Sequence, residues 1–355
     1  MRKELLFLLF VLASGSFRQA LAGIRPGDSL LPVRTSGVVA DVGGSPELRI
    51  GVERGASDGF AEEKAVEAEL GEIELGYSTT GDHRRALNHL LKMAGPGMAG
   101  ASAVGWSRRV RYRLFDDLAR VSARLRLYTL AMKCYYNASR QTTGLPPDSS
   151  FYRGEPVEES VPVGVDSIES AFADGKAAVA YALLVAVKQP SPGKRKAFTH
   201  FSNVGHTFIT LIKYNTDSSA VCRSFGFYPK KSGALDATPL HPGARSVIKD
   251  DSRHEWDELA GKFITAKQFN KIIELLQSYD HKIYNLNHSN CTDFGLTMAL
   301  VGGIRIGGTT GRWPLGKGNN PGAAGQSLLE GRVVNAGPED AEPLFVASDH
   351  VPGRW

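Results

Sequence analysis

The chain has 355 residues, of which 42% are hydrophobic and 22% charged, with a formal net charge of +5. That length is enough for two domains of ordinary size. Three cysteines in so long a chain exclude a disulfide scaffold, and no regular aromatic and basic platform gives reason to expect nucleic-acid binding.

Residues 1–22 read as a signal peptide. Arg2 and Lys3 precede the apolar run from Leu5 to Leu12, and Ala20-Leu21-Ala22 offers a small-residue cleavage site before Gly23. Export to a periplasmic or extracellular space is therefore expected. No later stretch reaches the roughly 20 apolar residues that a spanning helix needs.

Residues 23–150 read as a mainly helical, basic region. Short strands are expected between Val39 and Val52, and a helix over 82–93, where Ala86, Leu87, Leu90 and Leu91 share a face before Gly95-Pro96-Gly97. From Val110 to Ser139, Leu114, Leu118, Val121, Leu125, Tyr128 and Met132 fall at three- and four-residue steps, which predicts an amphipathic helix or two in line. Nine Lys or Arg against two Asp lie between Arg108 and Arg140. Such a surplus suits either a solvated helix face or an anionic surface, and the solvated face is the preferred reading. A Pro-, Gly- and Ser-rich run from 142 to 162 marks a domain boundary, and the linker is placed at 151–175.

From Lys176 the pattern turns to strands. Ala177 to Val187 is a continuous apolar run ended by Gln189-Pro190-Ser191-Pro192-Gly193, Val204 to Tyr214 alternates, and Ala220 to Tyr228 follows the turn at Asn215 to Ser218. Antiparallel pairing of these three is expected, with a further strand within His254 to Ile264. Thr265 and Gln268 then form a capping box for a helix whose face carries Phe269, Ile272, Ile273 and Leu276. Tyr284 to Asn287 is a short extended approach to Asn290-Cys291-Thr292-Asp293-Phe294. There Asn290 caps a second helix, Asp293 completes the cap, and Gly302-Gly303 ends it.

A thiol in the first turn of a helix sits where the macrodipole favours thiolate, and Gly205-His206-Thr207-Phe208 places a histidine on a strand to serve as its base. His206 followed by Cys291 is a nucleophile pair in the order His, then Cys. The strand bearing GHTF, its hairpin, the later strands and the helix opened by NCTDF resemble circularly permuted papain-like enzymes, the superfamily of NlpC-like and lecithin retinol acyltransferase-like proteins. The resemblance covers 176–331.

It implies an α+β fold, an antiparallel sheet with packed helices preceded by the helical region. It also implies that Cys291 is the nucleophile and His206 the general base of a hydrolase or acyltransferase acting on an amide or ester bond. An exported member suggests a peptide or acyl substrate in cell-wall or membrane-surface material. A catalytically silent binding module of the same fold is the alternative. The sequence leaves the oligomeric state open.

Related enzymes orient the histidine through a polar group on a neighbouring strand. Folding the hairpin about Asn215 to Asp217 sets Ser224 to Gly226 opposite His206, so Ser224 is one expected orienter, with His254 and Asp257 as rivals. Cys134 paired with Cys222 would leave Cys291 free, whereas Cys222 paired with Cys291 would silence it. No metal site is expected, because the nine histidines show no HxxxH or HExxH spacing. No cofactor is expected either: the run from Gly316 to Gly322 lacks the Lys-Ser or Lys-Thr of a phosphate loop. The stretch around Arg312 and Trp313 reads as a loop folded over the domain, with a substrate-lining role as its rival. Residues 332–355 read as a poorly ordered tail.

Overall fold

The computed structural model describes residues 56–95, 106–145, 164–199, 203–230, 232–233, 235–336 and 344–349. The signal peptide and the strands expected between Val39 and Val52 lie outside the described residues, as does the segment 146–163. The chain divides into two units, 1–65 and 66–355; within the first, only the opening of one helix is described.

Residues 66–355 form an α+β unit in three layers. The described residues begin with α1 (Ala56–Thr80), α2 (His83–Ala94), α3 (Arg108–Arg124), α4 (Tyr128–Thr142) and α5 (Val165–Phe172). The strands β1 (Ala178–Lys188), β2 (His206–Asn215), β3 (Ala220–Lys230), β4 (Gly243–Asp250) and β5 (Glu258–Ile264) follow, then α6 (Ala266–Tyr279), β6 (Tyr284–Asn285) and α7 (Cys291–Val301). Last come β7 (Ile304–Ile306), β8 (Thr310–Trp313), β9 (Gly316–Asn319), α8 (Pro321–Leu329), β10 (Val333–Asn335) and β11 (Phe345–Ser348). One antiparallel sheet has the order β11-β5-β1-β2-β3-β4-β6, and β7 with β10 and β8 with β9 make two small ribbons.

The central strands are buried on both faces, so their sequences read as near-continuous apolar runs. On β1, Ala182, Leu184 and Ala186 join Leu114, Leu118, Tyr128 and Met132 of α3 and α4 in one core. Leu183, Val185 and Val187 turn to the other face, where Ile272, Phe294 and Leu328 bring in α6, α7 and α8. Two cores on opposite faces of one sheet are what period-two alternation produces.

Several elements differ from expectation for identifiable reasons. Instead of lying in line, α3 and α4 fold back at Leu125–Leu127, where Arg126 takes a positive φ of 61°. Most basic side chains of this pair are used internally: Arg113 meets Glu74, Arg120 meets Asp116, and Arg124 donates to Trp256 O at 2.9 Å while stacking 3.9 Å over its ring.

The linker expected at 151–175 contains α5, whose Val165, Ile168 and Phe172 are buried. The helices before residue 145 also share a core with the sheet that follows residue 178. Residues 332–355 are not merely a tail, because β10 pairs with β7 and β11 pairs with β5 at the sheet edge. Phe345 is 1% exposed, and burying such a ring contributes about 2–3 kcal/mol toward holding this four-residue strand in the sheet.

Candidate active site

The nucleophile candidate is presented by its cap. Asn290 Oδ1 accepts from Thr292 N at 2.8 Å and Asp293 N at 3.1 Å, and Asp293 Oδ2 accepts from Asn290 N at 3.0 Å. This reciprocal box consumes the amides around Cys291 and leaves the Cys291 N–H out of the cap. Asn319 ties the hairpin β8–β9 to the same turn: its Nδ2 donates to Asp293 Oδ1 at 2.7 Å, and its carbonyl accepts from Asn290 Nδ2 at 2.9 Å. Thus α7 starts with Cys291 held from both sides.

His206 opens β2 and lies against the thiol. Gly205, just before it, has a φ of 71°, and a Cβ there would sit 2.4 Å from Lys188 O, so the turn into the strand requires glycine. The imidazole Nε2 faces Asp251 Oδ2 at 3.0 Å. That leaves Nδ1 for Cys291, with which the ring shares a hydrogen bond. Tyr228 donates its hydroxyl to the other Asp251 oxygen, and its ring packs 4.2 Å from the imidazole. Asp251 is fixed in turn by its N–H, which donates to Ser224 O at 2.9 Å.

The line Cys291–His206–Asp251 is almost closed to water, while Tyr228 at its end is partly exposed. Cys291 is 7%, His206 5% and Asp251 2% exposed. Burial by itself raises the Cys291 pKa, yet the hydrogen bond and charge of His206, the Thr207 N–H and the Thr292 hydroxyl outweigh it and hold the thiol below its ordinary value. Burial by itself lowers the His206 pKa, and the hydrogen bonds to Asp251 and Cys291 overcome that to push it up to about 9. Opposite shifts in two touching groups are those of a thiolate–imidazolium pair.

Tyr284 approaches from the other side. Its hydroxyl meets both the Cys291 N–H and the thiol, and burial, followed by the charge of Cys291, keeps its phenol well above the usual range. It therefore stays a neutral O–H donor beside the sulfur.

The structure brings Cys291 and His206 together and places Asn290 and Asp293 in the cap, but none of the three expected orienters bonds the imidazole. Ser224 pairs its hydroxyl with Thr210 Oγ1 at 2.6 Å and stands across from Thr210 in the ladder. Asp257 takes Lys188 Nζ at 2.8 Å and Gln189 N at 2.6 Å. His254 lies with its ring 5.0 Å from that of His206 and tilted by 44° to it, with its Nδ1 at Glu255 O.

The hairpin turn is longer than expected. Tyr214 pairs with Ala220, and continuing that register carries position 228, not 224–226, across from 206. Asp251 was missed because β4, which delivers it, has no apolar alternation. The doubled acid Asp250-Asp251 after Val247-Ile248 was the available signal.

Cys291 opens into a cleft between the 237–239 loop, residues 197–198 and 204–205, and the β8–β9 hairpin. Trp313 lines this cleft, whereas Arg312 is exposed outside it. All three cysteines are buried and none is in a disulfide, so neither expected pairing is formed. Among the described residues no group of three or more His, Cys, Asp or Glu is placed to hold a metal ion, and no helix is long and apolar enough to cross a membrane. No family model matches the chain, nor does any curated protein or any solved structure.

Proposed function

We propose that the protein is an exported thiol hydrolase or acyltransferase of the circularly permuted papain-like kind, acting on an amide or ester carbonyl through Cys291 and His206. The observation that carries this reading is the buried line of Cys291, His206 and Asp251, with a thiol pKa lowered and an imidazole pKa raised at the start of a helix. A structural cysteine in an apolar core has the opposite shift, as Cys134 does: burial raises its pKa far above the usual value.

In the first step the Cys291 thiolate adds to the carbonyl carbon. The charge that develops on oxygen falls to the Cys291 N–H and the Tyr284 hydroxyl. The His206 imidazolium gives its proton to the leaving amine or alcohol, the carbon–nitrogen or carbon–oxygen bond breaks, and a thioester on Cys291 remains. In the second step neutral His206 takes a proton from water, or from an acceptor alcohol or amine, which attacks the thioester and releases the thiolate. Asp251 holds the imidazole in the tautomer that presents Nδ1 to the sulfur, and Tyr228 holds Asp251. Cell-wall peptide is the proposed substrate for a bacterial source, and a lipid or protein acyl bond is the rival.

The test is labelling with a chloroacetamide or vinyl sulfone probe followed by peptide mapping. Selective modification of Cys291 over Cys134 and Cys222, abolished by His206→Ala in folded protein, is expected. Equal reactivity of the three thiols would reject the reading.

A further inference from the structure

Within that reading, on which the inference rests, the composition of the cleft bears on the substrate. The chain is 22% charged, yet among the described residues lining the cleft there is no Asp, Glu, Lys, Arg or His. Its walls are Phe198, Val204, Pro239, Leu286 and Trp313, and the polar groups are Thr238, Tyr284 and the asparagines whose amides hold the cap of α7 and the start of α8. Apolar surface continues outward from the same segments. Leu240, beside Pro239, is 72% exposed; Leu315, at the tip of the hairpin that carries Trp313, is 73% exposed; Val204 itself is 41% exposed. Arg312 and Lys317 of that hairpin stand outside the lining.

We infer that this cleft binds an uncharged, apolar acyl group, an aliphatic or aromatic side chain attached directly to the scissile carbonyl, and rejects an acyl group that carries a carboxylate or ammonium. Transferring an ion into such a site strips its water with no opposite charge to replace it. An alkyl chain, by contrast, gains from each methylene that leaves water. The preference lies on the acyl side because the cleft reaches Cys291 itself, where the acyl group stays as the thioester while the leaving group departs.

The experiment uses full-length reduced protein and 4-nitrophenyl esters, with Cys291→Ala as the background. From butanoate to hexanoate, kcat/KM should rise about fourfold for each methylene. The 4-methylpentanoate ester should exceed its near-isosteric anionic counterpart, the succinate monoester, by more than about tenfold. Val204→Lys places a cation at a half-exposed position of the wall and should raise the succinate rate relative to 4-methylpentanoate by about tenfold, a change of preference that loss of packing alone would not produce. Equal wild-type rates for succinate and 4-methylpentanoate, or a ratio unmoved in folded Val204→Lys, overturn the inference while leaving the thiol chemistry intact. No Cys291-dependent turnover or acyl adduct with any of the esters rejects the hydrolase reading and this inference together.

Discussion

His206 and Asp251 meet at 3.0 Å through a gap in β3 that only glycine can leave. A Cβ built on Gly226 would lie 2.3 Å from Asp251 Oδ2 and 2.5 Å from His206 Nε2, in the middle of a buried strand where neither partner can retreat. Gly226→Ala should therefore separate the pair and lower kcat by about 10²-fold or more, and Asp251→Asn by about 10²–10⁴-fold, both with the fold retained. Ester turnover with circular dichroism checks this. An Asp251→Asn protein of ordinary rate would remove Asp251 from any orienting role.

The opposite pKa shifts set a pH window. Cys291 is held below the ordinary thiol value, so alkylation of Cys291 should already be fast near pH 6–7, where a free thiol near 8.5 reacts slowly. Turnover needs the protonated imidazole for the leaving group and should fall as pH passes about 9, where His206 loses its proton. The same raised pKa makes His206 stabilising below its unfolded value near 6.5, with that contribution lost as pH rises through about 9. Rates of Cys291 modification that keep climbing to pH 9 would contradict the pair.

Asp117 supplies an independent test of the helical layer. It is 5% exposed on α3, its Oδ2 has no partner, and burial, followed by the charges of Asp116 and Glu74, pushes its carboxyl up to about 8. A raised carboxyl means that the folded protein binds a proton which the unfolded chain releases near pH 4. Its contribution is thus full below that pH and is lost as pH rises toward 8. Asp117→Asn should stabilise the protein by about 1–3 kcal/mol at pH 8 and change little at pH 4. Thermal unfolding at both pH values decides, and a loss of stability at pH 8 would mean that Asp117 is ionised and paired.

The two halves of the unit should stay together when the chain between them is cut. Tyr214 on β2 donates its hydroxyl to Thr129 O at 2.8 Å, and Arg124 reaches Trp256, so α3 and α4 are bound to the sheet by polar as well as apolar contacts. A protease recognition site inserted between 146 and 163 and then cleaved should give two fragments that co-elute and unfold in one transition. A sheet fragment that separates and remains folded would restore a boundary between independent domains.

How much of this was legible depends on how local each signal is. The cap at Asn290 and Asp293 and the box at Thr265 and Gln268 are set by residues three apart, and both stand in the structure where the sequence put them. The helix that buries Val66, Leu70 and Ile73 escaped the sequence reading, because over its full length apolar and polar residues are not segregated onto opposite faces. Asp251 was beyond it for a different reason. Its role depends on the β2–β3 register, in which the turn runs through Ser218 at a φ of 70°, and on a fourth strand whose exposed residues hide its periodicity. A slip of two to four residues in that hairpin was enough to exchange Tyr228 for Ser224 beside the histidine.

Tyr284 separates two kinds of chemistry at the same sulfur. Its hydroxyl stands beside the Cys291 N–H, where the oxygen of an attacked carbonyl would collect charge, and its raised pKa keeps it a donor throughout the working range. Alkylation of Cys291 by chloroacetamide displaces chloride and forms no oxyanion, whereas ester or amide turnover passes through a tetrahedral one. Tyr284→Phe should therefore leave the alkylation rate within about twofold while lowering kcat by about 10²–10³-fold, the loss typical of one donor removed from such a site. KM should change little, because the interaction strengthens only as charge develops. If alkylation and turnover fall together, Tyr284 acts by holding the thiol in place, and the oxyanion must find its second donor elsewhere.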